Sequence, residues 1–209
     1  STPTIYFGFG SNLWLHQMSI RCPTSTYLGV ARLNNYKWII NGRGYANVVS
    51  ITNTNTSTGT TTPPSKEEPD YNTTVYGLVF SLLPADEARL DVNEGVPFAY
   101  QKEYLECEFW PSEGERWVDV GEEPEERREM LVYVDRERVE ESSPREEYVL
   151  RMNRGIEDAL RLGVPEGYVE GVMRRFIPED GEKGEAGDGG LEEKARRQAR
   201  GFRDESGVF

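Results

Sequence analysis

The chain is poor in the residues on which much catalytic and metal chemistry rests. It has one histidine, His16, and two cysteines, Cys22 and Cys107. A histidine-based triad would have to be built on His16, and a multi-histidine metal site is impossible. The cysteines are far apart and outside any Cys-x-x-Cys context, so no disulfide framework is implied, and each reads as a small core residue. No stretch approaches the roughly 20 apolar residues of a membrane span. Ser1 to Ile5 lacks a basic segment followed by an apolar run, so no signal peptide and a soluble, cytoplasmic protein are expected. Positive charge is also scarce: 24 Lys and Arg stand against 37 Asp and Glu, a net charge of −13. A basic surface is what nucleic acid and anionic bilayers attract, so neither is expected as a partner.

What is present is enough for one domain. The 209 residues are 36% hydrophobic, a low share that leaves part of the chain unpacked. Ile5 to Phe9 reads as a first buried strand, followed by a short helix from Leu13 to Arg21 that Pro23 ends. Tyr27 to Leu33 and Tyr36 to Asn41 read as two strands joined by a tight Asn34-Asn35 turn, and Tyr45 to Ile51 as a further strand. Thr52 to Tyr71 is rich in Asn, Thr, Ser and Pro and reads as a flexible insert. Thr74 to Leu82 is again a strand. Pro84 suits a first helical turn, Asp86 and Glu87 suit its dipole, and that helix runs to about Asn93 with Gly95 as its stop. Tyr100 to Trp110 and Met130 to Val134 are strands, with a charged connection over Glu113 to Glu129. Ser143-Pro144 opens a long helix whose Tyr148, Met152, Ile156 and Ala159 share one face. The expected organisation is a single domain over residues 1–178 and a charged tail over 179–209. Strands and helices interleave, so the class is mixed α/β with a mixed sheet or small barrel.

Two motifs can carry chemistry. Tyr6-Phe7-Gly8-Phe9-Gly10-Ser11-Asn12-Leu13 places a glycine-rich turn between a strand and a helix. Backbone N–H groups there suit a carboxylate or phosphate; the alternative is an ordinary tight turn with Asn12 as a cap. It is neither a Walker loop nor a dinucleotide fingerprint. Leu90-Asp91-Val92-Asn93-Glu94-Gly95 places Glu94 at the negative end of a helix. That position costs some tenths of a kcal/mol and raises the carboxyl pKa, which suits a general base. The alternative is a surface acid before a stop glycine. Asp91, one turn earlier, reads as a capping or salt-bridging residue. Tyr100 and Tyr133 lie on strands and are structural unless they converge on these motifs. Arg32 and Arg43 are either carboxylate binders or charged rim residues.

Together the motifs resemble the γ-glutamyl cyclotransferase family. The resemblance runs through YFGFGSNL at Tyr6 to Leu13, Val30-Ala31-Arg32-Leu33, Val75-Tyr76-Gly77-Leu78-Val79 and Leu90 to Val96. It continues through Tyr133 and the helix near Pro144, covering roughly residues 4–177. Trp38-Ile39-Ile40-Asn41 with Arg43 to Val49 looks like the fungal branch, which includes gliotoxin-type biosynthetic members. The resemblance implies a small mixed-sheet barrel with flanking helices and a reaction that closes a γ-glutamyl group into 5-oxoproline. It places the catalytic glutamate at Glu94 and the substrate loop at Tyr6 to Leu13. A pocket tyrosine falls at Tyr133, with Tyr100 as a further candidate. No cofactor or metal is implied, only a small-molecule γ-glutamyl substrate, with monomer and homodimer both open. The family usually has tyrosine where this chain has Phe9, so one loop hydroxyl is missing. The other reading is a binding or regulatory relative that kept the pocket.

Overall fold

The computed structural model describes residues 2–51 and 69–180. Strands β1 (Thr4–Gly8), β2 (Thr26–Asn34), β5 (Thr74–Leu82), β6 (Gln101–Pro111) and β7 (Glu126–Val134) form a closed barrel in the order β1-β5-β2-β6-β7. All neighbours are antiparallel except β1 and β7, which close the barrel in parallel through Tyr6 and Leu131. β5 lies between β1 and β2, and nearly all of its residues are buried. The expected mixed α/β class with a small barrel and flanking helices is what the chain adopts.

The Asn34-Asn35 turn exists, and Asn35 takes the left-handed conformation at φ 63°. It does not make a hairpin. β3 (Tyr36–Ile40) leaves the barrel and pairs with β4 (Ala46–Ser50) in a separate two-stranded sheet. β2 has no edge to offer, because β5 and β6 already occupy both.

The first helical segment is split. A 3-10 turn at Ser11–Leu13 precedes α1 (Leu15–Arg21). α2 (Pro84–Asn93) begins at Pro84 and carries Asp86 and Glu87 in its first turn, as dipole and proline rules require. Asp86 is buried and ties α2 to the end of α1 by accepting from the Thr24 backbone N–H and hydroxyl, at 2.9 and 2.6 Å. α3 (Glu146–Leu162) packs one face inward, with acids in its first turn, Arg161 in its last and left-handed Gly163 as its stop. Its approach to the 3-10 turn is close. A Cβ on Gly155 would sit 2.9 Å from Leu13 Cβ and 3.1 Å from the Trp14 nitrogen. α4 (Glu166–Gly171) follows.

Most of the expected insert and tail lie outside the described residues. Tyr71, assigned to the insert, instead opens a 3-10 turn at Tyr71–Thr73 and packs its ring on Tyr76 and Tyr168. No described helix is long and apolar enough to cross a membrane.

Candidate active site

Three elements meet at one end of the barrel: the turn after β1, the C-terminal end of α2 and the first turns of α3. Between them lies a cavity bordered by Tyr6, Phe9, Gly10, Ser11, Asn12 and Glu94. Its far wall is Tyr45, Ala46, Tyr100 and Tyr148, and Arg21, Tyr133 and Arg151 complete it. Both sequence motifs therefore converge, and Tyr100 and Tyr133 join them. Phe7, Gly8 and Leu13 do not border the cavity. Phe7 and Leu13 are wholly buried in the core, and alternation along β1 turns Phe7 away from the face that Tyr6 presents.

Glu94 is the C-cap of α2, in helical conformation at φ −84°, and its N–H still bonds the Leu90 carbonyl. Gly95 turns the chain away at φ 64°. Taken whole, Glu94 is half-buried, but its carboxyl group faces the cavity walls. Burial raises its pKa above the ordinary 4.5, opposed by Arg21, by the hydrogen bond from Asn12, and by Arg43 and Arg151. The sequence attributes this rise to the helix end; in the structure burial is what raises it.

Asn12 holds Glu94 in place. Its Nδ2 donates to Glu94 Oε1 at 3.1 Å and to the Tyr6 hydroxyl at 2.8 Å. Its Oδ1 accepts from Gln17 Nε2 at 2.8 Å and Arg21 Nη1 at 3.0 Å. An amide has two donors and one twice-accepting oxygen, so every position on Asn12 is filled. Arg21 is nearly fully buried, and burial together with repulsion from Arg151 brings its pKa down to about 10 while Glu94 pushes it up.

The tyrosines divide by what their hydroxyls do. Tyr133 donates to Asp91 Oδ1 at 2.6 Å, so its hydroxyl hydrogen is taken, and the residue borders the cavity. Asp91 also receives Lys102 at 3.0 Å, so its expected salt-bridging role is what it performs. Tyr100 donates to the Ala46 carbonyl at 2.8 Å. Tyr148 accepts from the N–H groups of Ser11 at 3.1 Å and Ala46 at 3.3 Å. Of the two candidate arginines, Arg32 pairs with Glu108 on another face, at 2.6 Å. Arg43 lies behind the tyrosine wall, 4.8 Å over the Tyr100 ring and 3.8 Å from Asp135.

Sequence reasoning missed Arg21, Tyr45, Tyr148 and Arg151. Tyr148 is read there only as part of the apolar face of α3. The available signal was the charged Glu147-Arg151 pair, one turn apart on that otherwise apolar face. Arg151 is buried, and its Nε lies 3.0 Å from Glu147 Oε2. His16 is exposed on α1 and the two cysteines are buried and free. Among the described residues no cluster of His, Cys, Asp and Glu is arranged to hold a metal.

No protein-family description matches the chain, and no curated protein matches it in sequence. Solved structures do. A γ-glutamyl cyclotransferase superposes with a TM-score of 0.61 at 18% identity, over 93% of this chain and 99% of its own. The chain has the γ-glutamyl cyclotransferase fold. An uncharacterized protein from Homo sapiens gives the same score and identity, 0.61 and 18%, over 94% and 99% of the two chains. YkqA from Bacillus subtilis gives 0.57 at 16% identity, over 86% of this chain and 56% of its own. At these identities the likeness is one of architecture, and chemistry rests on the cavity.

Proposed function

We propose that the protein is a γ-glutamyl cyclotransferase with Glu94 as its proton carrier. One observation carries this reading. A single carboxyl group, desolvated and with a raised pKa, shares a small cavity with the buried Arg21 and Arg151 guanidiniums. A cavity bordered by one carboxyl group and two guanidinium groups suits a zwitterion, with an ammonium toward Glu94 and a carboxylate toward an arginine.

The γ-glutamyl α-ammonium must lose a proton before it can attack, since such amines titrate near or above roughly 8. Glu94 takes it. The amine nitrogen then bonds to the γ-carbonyl carbon of the same molecule, and the amide bond to the leaving nitrogen breaks. Two protons leave the attacking nitrogen and two arrive on the leaving nitrogen, so Glu94 ends as it began. The products are 5-oxoproline and an ammonium. Holding the chain folded supplies much of the acceleration, because oriented intramolecular attack reaches effective molarities of about 10⁵–10⁸ M.

The segment that looks like the fungal branch forms the β3–β4 hairpin, whose Tyr45 and Ala46 line the cavity. On that resemblance we extend the reading to a glutathione-derived conjugate as substrate in secondary metabolism. The test is release of 5-oxoproline from γ-glutamyl dipeptides, glutathione and glutathione S-conjugates, with Glu94→Gln as control. Glutamate-dependent release supports the reading, and a preference for free dipeptides overturns its conjugate part. Saturable binding of these compounds without product would make the chain a binding or regulatory relative instead.

A further inference from the structure

We propose that Gln17 is a positioning residue: held by Arg151, it fixes the Asn12 amide toward Glu94 and turns the Ser11 hydroxyl hydrogen toward the bound substrate. This rests on the cyclotransferase reading for the identity of the substrate, but not for the geometry.

The argument is one of hydrogen-bond valence. Gln17 is wholly buried on α1. Arg151 is a donor only, and its Nη1 donates to Gln17 Oε1 at 3.2 Å. That contact fixes which end of the Gln17 amide is oxygen. Nε2 therefore faces the other way, donating to Asn12 Oδ1 at 2.8 Å and Ser11 Oγ at 2.9 Å. Asn12 is fixed in turn, since its oxygen accepts from Gln17 and Arg21, and its Nδ2 must face Glu94 and Tyr6. The polarity set by a guanidinium on α3 thus reaches the carboxylate on α2 through two amides. A reversed Asn12 would place an oxygen against Glu94 and a nitrogen against Arg21.

The second branch ends at Ser11. A hydroxyl has two acceptor positions and one hydrogen. Both acceptor positions are used, by Gln17 Nε2 and by Arg151 Nη1 at 3.2 Å. The hydrogen remains for an acceptor outside this network, and Ser11 borders the cavity. A hydroxyl that accepts from a cation is a strengthened donor, suited to a substrate carboxylate or carbonyl oxygen.

The test is the titration of Glu94 itself. The groups that act on it are Arg21 from α1, Arg43 from the β3–β4 turn and Arg151 from α3, with the Tyr6, Tyr100, Tyr133 and Tyr148 phenols around them. In protein labelled with ¹³C at the glutamate carboxyls, the Glu94 resonance is the one missing from Glu94→Gln. Gln17→Glu accepts from Arg151 as glutamine does, but turns a second acceptor on Asn12 and Ser11. The Glu94 midpoint is expected to rise by about one unit. With an active substrate, kcat/KM at neutral pH should fall about tenfold, and Ser11→Ala should lose a similar factor. A folded Gln17→Glu with the wild-type midpoint overturns the proposal. So does Ser11→Ala with wild-type kcat/KM, for the Ser11 branch. If Gln17→Glu does not fold, Gln17→Met carries the test without added charge, and an unmoved midpoint there is equally decisive. Wild-type protein that releases no 5-oxoproline overturns the cyclotransferase reading and leaves the titration to judge the relay.

Discussion

At the scale of single residues, the site trades stability for chemistry at Glu94. Glu94→Gln should keep the fold and lose roughly 10²–10⁴ in turnover, measured as 5-oxoproline release; near-normal turnover would remove Glu94 from the mechanism. The same substitution should raise the melting temperature at pH 7. Burial raises the folded-state pKa above the unfolded value. The folded state then binds more protons between the two values, and stability falls as pH rises through that window. Glutamine escapes this cost, so the gain should vanish at pH values below the unfolded carboxylate pKa, where both side chains are neutral. A melting temperature that does not respond to the substitution at any pH would mean Glu94 is not desolvated. Glu94 was marked in the sequence by a place at a helix end that conflicts with the dipole, and the family resemblance, not that place, singled it out from an ordinary surface acid. Gln17 and Arg151 were not legible, since they meet across 134 residues and Arg151 reaches Ser11 across 140; Arg21 was not, since burial beside Glu94 and Arg151 is what gives it a role.

At the scale of elements, the cavity depends on how closely α3 approaches the 3-10 turn. Tyr148 and Arg151 ride on α3 and contact Ser11 directly, so any separation of the two elements opens the site. Gly155→Ala adds a methyl that would press on Leu13 Cβ at 2.9 Å and on the Trp14 nitrogen at 3.1 Å. We expect a loss of about 1–3 kcal/mol, read as a lower urea midpoint at unchanged m. Activity of the folded protein should also fall, because the displaced helix withdraws Tyr148 from Ser11. A destabilised variant with undiminished kcat would show that this register is not needed. Elements with strong local signals were legible: α2 begins at Pro84 and ends at Asn93 as its proline, acids and stop glycine dictate. The side-chain pattern predicts β7 only from Met130, whereas it starts at Glu126. Its first residues are exposed and charged, and they are held by backbone pairing with β6, which side-chain pattern does not reveal.

At the scale of the whole molecule, the class was legible from interleaved strands and helices, but the strand order was not. Neighbouring strands in sequence suggested that β2 and β3 pair, whereas β2 is satisfied by β5 and β6 and β3 joins another sheet. Pairing is decided by which edges remain open once the barrel closes, a global condition. The assembled molecule also separates two acid transitions. Burial pushes Glu87 up, but hydrogen bonds from Lys102 and Thr4 outweigh it and hold it below the ordinary 4.5. Glu108 is likewise held down against its burial by Asn34 and Arg32, and Glu141 is held down by Lys37. Carboxylates with depressed folded pKa values contribute stability above the unfolded value and lose it as pH falls through the folded one. Unfolding by acid should therefore set in below the ordinary carboxylate range. Burial raises the Glu94 carboxyl where those groups are lowered, so kcat/KM should fall first, while the fold is intact. Activity and near-ultraviolet circular dichroism followed over the same acid titration check this. We expect loss of turnover that is reversed on neutralisation and precedes loss of the tertiary signal. Coincident transitions would mean that protonating Glu94 and breaking the outer ion pairs are one event, and the cavity would then be part of the cooperative core rather than a strained site supported by it.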